Sequence, residues 1–268
     1  MPNHVTNRLT IHAEGKRLEE ILDAIKSDEA GRGSIDFNKL IPMPESLNIE
    51  SGTTTDRAIE IYLTALNPQM PSISGVQKIK ADIFSNLVKG LNSAKPYQTY
   101  RTDLSKEDIK NSTRYNALAN QISLGRTAVN NYLMHGSIDW YDWAVKNWGT
   151  KWNAYGFDDF EIDPKGNTLS FLTAWDSVPE VLTVLSERFP DVKLSYKYAD
   201  EDIGCNVGEM TFQNGDVIEE YIPQNQSKEA YELAFEVMES SASDYDLVFN
   251  EESQEYEYHE DMECEMQL

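Results

Sequence analysis

The feature that most constrains this fold is a period-two alternation of apolar and polar residues that twice precedes a helical pattern. Residues 3–13 alternate in the way of a half-buried strand, and an apolar stripe at helical spacing follows from Gly15. The same succession returns at residues 167–175, ahead of a helix that Ser177 opens at capping-box spacing. The sequence therefore predicts a strand followed by a helix at each end of a long interruption.

Two further segments complete the predicted order of strands. The stretch SIDFNKLIPMP, residues 34–44, indicates a strand that ends at its prolines, because proline cannot donate to a β-ladder. After residue 192, KLSYKYADED and GEMTFQNGDVIEEY indicate strands joined by a glycine-containing turn, with another turn at Asn214-Gly215. The succession β-α-β, then β-α-β with an added strand, predicts an α+β protein with a ferredoxin-like split β-α-β sandwich.

The interruption of this core reads as mainly helical. Apolar spacing predicts helices over residues 54–66, 74–92, 105–134 with breaks, and 138–148. A capped helix is predicted from Ser227. We therefore divide the chain into five parts. The two halves of the core are residues 1–44 and 151–222, and the helical insertion between them is residues 45–150. A C-terminal helix, residues 223–238, and an acidic tail, residues 239–268, follow.

Negative charge is concentrated at the C-terminal end of the chain. The net charge is −23, yet residues 1–154 carry 18 basic and 17 acidic side chains, whereas residues 155–268 carry 5 and 29. Residues 239–268 contain eleven acidic side chains and neither lysine nor arginine, a composition typical of a solvated segment. Aromatic residues within this tail, among them Tyr245 and Tyr256, would also allow it to dock on a basic surface.

Tryptophan is concentrated in the middle of the chain, where DWYDWAVKN precedes WGTKWN and four of the five tryptophans fall within thirteen positions. We favour a structural role, in which buried indoles anchor the insertion to the sheet. The alternative is a ligand recess with stacking surfaces and charge. Its candidate binding residues are Trp148, Lys151, Trp152, Asp200, Glu201 and Asp202. The three carboxylates could hold Mg²⁺ or Ca²⁺, but such a group is more typical of a charged hairpin end.

Enzyme chemistry has little support in the residues. The four histidines lack a partner at metal-binding spacing, and there is no Walker loop, dinucleotide fingerprint or nucleophile elbow. We therefore expect a non-enzymatic protein with no catalytic residues, no cofactor and no metal. No apolar run approaches the roughly 18 residues of a membrane span, and the N-terminus lacks a signal-peptide pattern, so we expect a cytoplasmic protein with two reduced cysteines.

Several stretches resemble a known family. They are PNHVTNRLTI, FNKLIPMPESL, DWYDWAVKNWGTKWNAYGF, FLTAWDSVPEVLTVLSERFP and YADEDIGCNVG. Together, over residues 1 to about 222, they resemble the YubB-like family of plasmid and phage proteins, whose C-terminal part is described as a ferredoxin-like domain. The resemblance implies that fold and a mobile-element origin, but it carries over no catalytic residues and does not extend to the acidic tail.

Charge selects the class of partner. Neutralising phosphates requires lysine and arginine, so the acidic C-terminal part should repel nucleic acid, whereas it complements the basic clefts of proteins that bind nucleic acid. We expect an anti-defence protein that modulates a host nucleic-acid-handling or defence protein by mimicking DNA. Its candidate acidic interaction surface is Glu251, Glu252, Glu255, Glu257, Glu260 and Asp261.

Two alternatives from other classes stay open. Residues 76–130 carry nine basic side chains against four acidic ones, so the insertion could itself bind nucleic acid through residues such as Lys78, Lys80, Lys89 and Arg101. The other alternative is a ligand- or metal-binding enzyme in the region of Trp152 and Asp202.

Overall fold

The computed structural model describes residues 3–66, 113–160, 163 and 165–258. The chain divides into two compact units, which we call the sheet unit (Met1–Pro42 and Ala144–Leu268) and the helical unit (Met43–Trp143). Within the described residues, no helix combines the length and the apolar character needed to cross a membrane. The helices found there are α1 Gly15–Ile25, α2 Thr53–Leu66, α3 Thr113–His135, α4 Trp140–Trp148, α5 Pro179–Arg188 and α6 Lys228–Met238.

An antiparallel sheet of five strands organises the sheet unit, in the order β2-β1-β3-β4-β5. The central strand β1 pairs with β2 on one side and with β3 on the other, and α5 connects those two flanking strands along the chain. This is the split β-α-β arrangement that the sequence predicted. The strands are β1 His4–Ile11, β2 Thr168–Ala174, β3 Leu194–Asp200, β4 Val207–Gln213 and β5 Asp216–Tyr221.

One face of the sheet forms the apolar core together with residues of α1 and α5. Alternation along β1 places Val5, Leu9 and Ile11 in this core without exposed area. Asn7 lies among them and is satisfied, because its amide donates to the Thr173 hydroxyl at 2.9 Å and its oxygen accepts from the Tyr196 hydroxyl at 2.5 Å. A polar side chain thus fits the core through hydrogen bonds rather than through apolar contact.

The predicted strand at residues 34–44 is wrong. The chain there forms a 3₁₀ turn at Phe37–Lys39, where the Asp36 carboxylate accepts from the Asn38 N–H at 3.0 Å. Strand β2, beside which a ferredoxin-like order would place such a strand, is an edge of the sheet in the structure. The capping box at Ser177 is also wrong, since the residue that precedes α5 is Val178 and Pro179 begins the helix.

Helix α6 begins as predicted, with the Ser227 hydroxyl accepting from the Ala230 N–H at 3.2 Å. The helix packs on β1, β3 and β4. It buries Ala230, Tyr231, Leu233, Ala234 and Val237.

The chain beyond α6 is folded as far as residue 258, which corrects the expectation of a solvated tail. A 3₁₀ turn at Ala242–Tyr245 leads into a hairpin of β6 Leu247–Asn250 and β7 Glu255–Tyr258, which we call the acidic hairpin. The ring of Tyr256 lies 5.3 Å from that of Tyr231 and 5.5 Å from that of Phe235, both on α6. Aromatic contacts therefore hold this part of the tail on the chain's own helix.

The helical unit contains a separate small core between α2 and α3, formed by Ile59, Leu63, Ala128, Val129 and Ile138. The two helices approach closely at Gly125, where an added Cβ would lie 2.0 Å from the Ala58 carbonyl oxygen. The predicted helix at 54–66 is confirmed. The one at 105–134 is present from Thr113, and the one at 74–92 lies outside the described residues.

Candidate functional site

The segment that follows the tryptophan-rich helix is fixed to the end of strand β2. The Thr150 hydroxyl donates to the Ala174 carbonyl at 2.7 Å and accepts from the Ala174 N–H at 3.1 Å. Further along, Tyr155 and Leu172 exchange backbone hydrogen bonds of 2.8 and 3.1 Å. These contacts place Lys151 and Trp152 beside the residue that ends the strand.

Lys151 lies between two indoles. Its ammonium nitrogen is 4.6 Å from the ring centroid of Trp152 and 4.8 Å from that of Trp175. Each such contact contributes roughly 0.5–1 kcal/mol at an exposed site. We call this arrangement the tryptophan cleft. Within the described part of the chain no carboxylate forms an ion pair with Lys151, so the indoles are the groups that hold its charge.

The backbone at Trp175 is strained. Its φ is +77°, a conformation that bulky side chains rarely adopt, and its side chain is 42% exposed. Two hydrogen bonds maintain it: the Trp175 N–H donates to the Asn3 carbonyl at 2.9 Å, and the Asn206 amide donates to the Trp175 carbonyl at 3.3 Å. Strain of this kind costs roughly 1–3 kcal/mol and is concentrated at functional sites, which makes Trp175 a candidate binding residue.

Tyr155 and His4 extend the cleft along the sheet edge. The Tyr155 hydroxyl lies 2.7 Å from the His4 Nδ1 and 3.3 Å from the Thr173 carbonyl oxygen. The tyrosine ring stands at 6.1 Å from that of Trp152. Burial raises the pKa of the Tyr155 phenol, and the nearby Glu201 carboxylate raises it further. The hydroxyl is therefore neutral at physiological pH and acts as a hydrogen-bonding group.

The three carboxylates predicted at the end of β3 have different environments. Asp200 is 5% exposed and accepts from the Asn3 amide at 3.1 Å, the Asp202 N–H at 2.9 Å and the Asn206 amide at 3.3 Å. It connects the starts of β1 and β4 to the end of β3. Glu201 and Asp202 are exposed. Within the part of the chain that the structure describes, no cluster of three or more histidines, cysteines or carboxylates is placed to hold a metal.

Trp148 belongs to the core of the sheet unit. Its side chain is 3% exposed, its indole N–H donates to the Ile41 carbonyl at 2.9 Å, and its ring meets that of Phe37 edge-on at 5.8 Å. This environment is that of a core side chain, so the accessible indoles beside Lys151 are those of Trp152 and Trp175.

Sequence reasoning missed Trp175, Tyr155, Asn3 and Asn206 as parts of this site. Trp175 directly follows the apolar alternation of its strand, so a large aromatic side chain at a strand end was the available signal. Nothing in the sequence indicates its left-handed backbone, because bulky residues are rare there.

The acidic hairpin presents carboxylates on an ordered scaffold. Glu251, Glu252 and Glu255 are exposed. Glu257 accepts from the Asn250 amide at 2.9 Å and from the Ser253 hydroxyl at 2.7 Å, and these hydrogen bonds lower its pKa. Glu260 and Asp261 lie outside the described residues.

The Lys228 ammonium lies against the acidic hairpin, 4.5 Å from the ring centroid of Phe249 in β6. Lys197 pairs with Glu236 at 2.6 Å and with Glu209 at 3.4 Å, while Lys228 reaches Glu232 at 3.8 Å. Among the residues that the structure describes, no lysine or arginine pairs with the exposed glutamates of the hairpin.

The proposed nucleic-acid-binding residues of the insertion cannot be placed in the same way. Lys78, Lys80, Lys89 and Arg101 all fall outside the described residues, as does most of the basic segment 76–130.

The fold and the comparisons with known proteins agree on the class of this chain. A helix-covered antiparallel sheet with a split β-α-β order defines an α+β, ferredoxin-like protein, and the fold class expected from the sequence is confirmed. Residues 147–241 match a family model described as the ferredoxin-like domain in Api92-like protein. This match supports an Api92-like relationship for those residues, whereas the YubB-like assignment stays a prediction.

One solved structure that the chain resembles is the crystal structure of protein Api92 from Yersinia pseudotuberculosis. The likeness covers 84% of this chain and 99% of that one, at 13% identity and a TM-score of 0.36. Among curated proteins, no match was found.

Proposed function

We propose that this chain is a non-enzymatic interaction protein that modulates a nucleic-acid-handling or defence protein of a host. The acidic hairpin would occupy the basic cleft in which that partner binds nucleic acid. The observation that supports this most directly is the exposure of Glu251, Glu252 and Glu255 on a folded hairpin without a cationic partner among the described residues. The resemblance to plasmid and phage proteins suggests that a mobile element carries the gene.

Order is what separates this surface from an ordinary acidic tail. In β7, alternation directs Tyr256 towards α6 and gives its glutamate neighbours the other side of the strand. Glu255 and Glu257 are then about 7 Å apart on one side. Binding to such a preorganised array costs less conformational entropy than binding to a flexible segment, which must become ordered in the complex.

The sign of the charge argues against direct binding of nucleic acid by this surface. A duplex carries one negative charge per roughly 1.7 Å of its axis, and binding requires cations that release its counterions. Carboxylates repel that array and attract the lysines and arginines of proteins that bind it.

Capture from host lysate with matched charge variants tests this proposal. We expect the full chain to retain a nucleic-acid-binding protein, and added duplex DNA to release it. Replacing Glu251, Glu252 and Glu255 by glutamine should weaken retention by at least about tenfold, if each exposed pair contributes roughly 0.5 kcal/mol.

The control neutralises an equal number of exposed glutamates of the N-terminal segment, Glu14, Glu19 and Glu29. It changes the net charge equally and should leave retention unchanged. Equal loss in both variants would indicate a net-charge effect, and unchanged retention by the hairpin variant would refute the role of this surface.

A second candidate function, binding of a small aromatic ligand, is favoured by the tryptophan cleft. Two accessible indoles around an ammonium that forms no ion pair with a described residue could stack on a nucleobase while the ammonium meets a phosphate, and stacking contributes roughly 1–3 kcal/mol per base. Titration with nucleoside monophosphates should then quench tryptophan fluorescence in the wild type and in Trp148→Phe, but not in Trp175→Ala. Absence of quenching at millimolar ligand would remove this candidate.

A further inference from the structure

Strand β5 is an exposed edge of the sheet. Every residue from Asp216 to Tyr221 is exposed, and the sheet order ends at β5, so the structure describes no strand that pairs with its outer side. Three of its large apolar side chains, and the one directly after it, are about half exposed, at 45–55%: Val217, Ile218, Tyr221 and then Ile222. An exposed apolar edge is a template for one more strand.

The edge is well formed rather than frayed. The turn that leads into it, Asn214-Gly215, has positive φ at both residues, the conformation of the tightest hairpins. The Gly215 N–H donates to the Ser186 hydroxyl of α5 at 3.1 Å. A bulge at Ile218, opposite the step from Thr211 to Phe212, interrupts the register in the middle of the strand, and regular pairing with β4 continues from Glu219 to Tyr221.

Neither lysine nor proline interrupts β5, although these are the residues that commonly protect an edge. Carboxylates take their place, at Asp216, Glu219 and Glu220. Alternation gives Glu219 and Tyr221 one side of the sheet and Glu220 and Ile222 the other. Each side of the edge thus offers one carboxylate beside one large apolar side chain.

These charges decide which strand can pair with the edge. A second copy would bring identical carboxylates together, and like charges on paired strands are destabilising. Lys193 lies 3.7 Å from Glu219, whose side chain is 71% exposed, and such a contact compensates little. A strand with lysine or arginine next to apolar residues would satisfy both the charges and the exposed side chains.

We propose that β5 is a docking edge for an extended, basic segment of a partner protein, which adds to the sheet as a sixth strand. Backbone hydrogen bonds supply the affinity of this mode, and the alternating side chains supply its specificity. The inference rests on the proposed function in one respect only, namely that the partner protein is basic. It uses residues that are separate from the acidic hairpin.

The test uses the full chain and two synthetic peptides with blocked ends. The basic peptide is Thr-Val-Val-Lys-Lys-Val-Thr, and its counterpart has glutamate in place of both lysines. Hydrogen exchange of the backbone amides is followed by residue. We expect the basic peptide to slow exchange over residues 216–222, and the acidic peptide to leave it unchanged.

Charge reversal at the edge gives the decisive comparison. In Glu219→Lys/Glu220→Lys the preference should invert, with the acidic peptide binding and the basic one weakened about tenfold. The matched control, Glu251→Lys/Glu252→Lys in the acidic hairpin, should bind as the wild type does.

Three results would overturn the proposal: no slowing of exchange by the basic peptide, slowing outside residues 216–222, or concentration-dependent protection of β5 without peptide, which would identify a second copy as the occupant. A hairpin variant that still captures its partner would refute the proposed function without touching this inference. The two failures are therefore distinguishable.

Discussion

Replacing Tyr256 by alanine should release the acidic hairpin from α6. The Tyr256 ring contacts those of Tyr231, Phe235 and Phe249, with centroids 5.3, 5.5 and 5.2 Å away. Aromatic pairs contribute about 0.5–1.5 kcal/mol each. Because the tyrosine is only partly buried, we expect a total loss of about 2–3 kcal/mol. A two-stranded hairpin is marginal without packing, so this loss should be enough to open it.

The strand supplies its own control. Tyr258 has the same chemistry and lies in the same strand, but it is 53% exposed. We expect Tyr258→Ala to cost less than about 0.5 kcal/mol.

Hydrogen exchange of residues 247–258 measures both effects. In Tyr256→Ala these amides should exchange roughly 30- to 150-fold faster than in the wild type, while those of the sheet keep their protection. Exchange at the rate of an unfolded chain in the wild type would contradict the docking of the hairpin. Identical exchange in the two alanine variants would contradict the assigned role of Tyr256.

Two further predictions concern stability and titration. Tyr196→Phe should lower the free energy of unfolding in urea by about 1–3 kcal/mol, because the buried Asn7 oxygen loses its donor. The control Tyr221→Phe, at the exposed edge, should change that free energy by less than about 0.5 kcal/mol. Equal losses in the two variants would refute the hydrogen bond. Arg32→Gln should raise the pKa of Asp23, which hydrogen bonds from Arg32 hold below its ordinary value. The ion pair therefore stabilises the fold at neutral pH and is lost as acid protonates Asp23, and an unchanged pH titration of that carboxyl by NMR would contradict the pairing.

Most strands and helices of the sheet unit could be predicted because their periodicity is local. The alternation in residues 3–13 and 167–175 reflects strands with one face on the core, and the stripe that follows Gly15 reflects a helix with one buried side. The exception is the predicted strand at residues 34–44, where tertiary contacts determine the structure. Phe37 is wholly buried at a 3₁₀ turn that Asp36 caps locally, and the Phe37 N–H donates to Asn153, a distant contact that the sequence cannot show.

The tail shows a different limit of sequence reasoning. Averaged over residues 239–268, the composition is that of a solvated segment. The average conceals the alternation of EYEY in β7, which places Tyr256 against α6. Composition reports whether a segment can collapse by itself, whereas this hairpin is stabilised by a surface that the preceding helix already provides.

The sequence suggested residues for a candidate site but could not give its geometry. The sequence placed Lys151 and Trp152 near the carboxylates at the end of β3. It did not supply Trp175, whose side chain completes the cleft, because that side chain reaches Lys151 only through a strained backbone that Asn3 and Asn206 hold in place.

The central claim is that an ordered acidic surface competes with nucleic acid for the basic cleft of a partner. Fluorescence anisotropy of a labelled duplex, bound to the captured partner, measures this competition directly. We predict that the wild-type chain and the Glu14, Glu19, Glu29 glutamine variant displace the duplex at similar concentrations, and that the Glu251, Glu252, Glu255 glutamine variant needs at least about tenfold more. A duplex that stays bound at saturating wild-type chain would contradict the account.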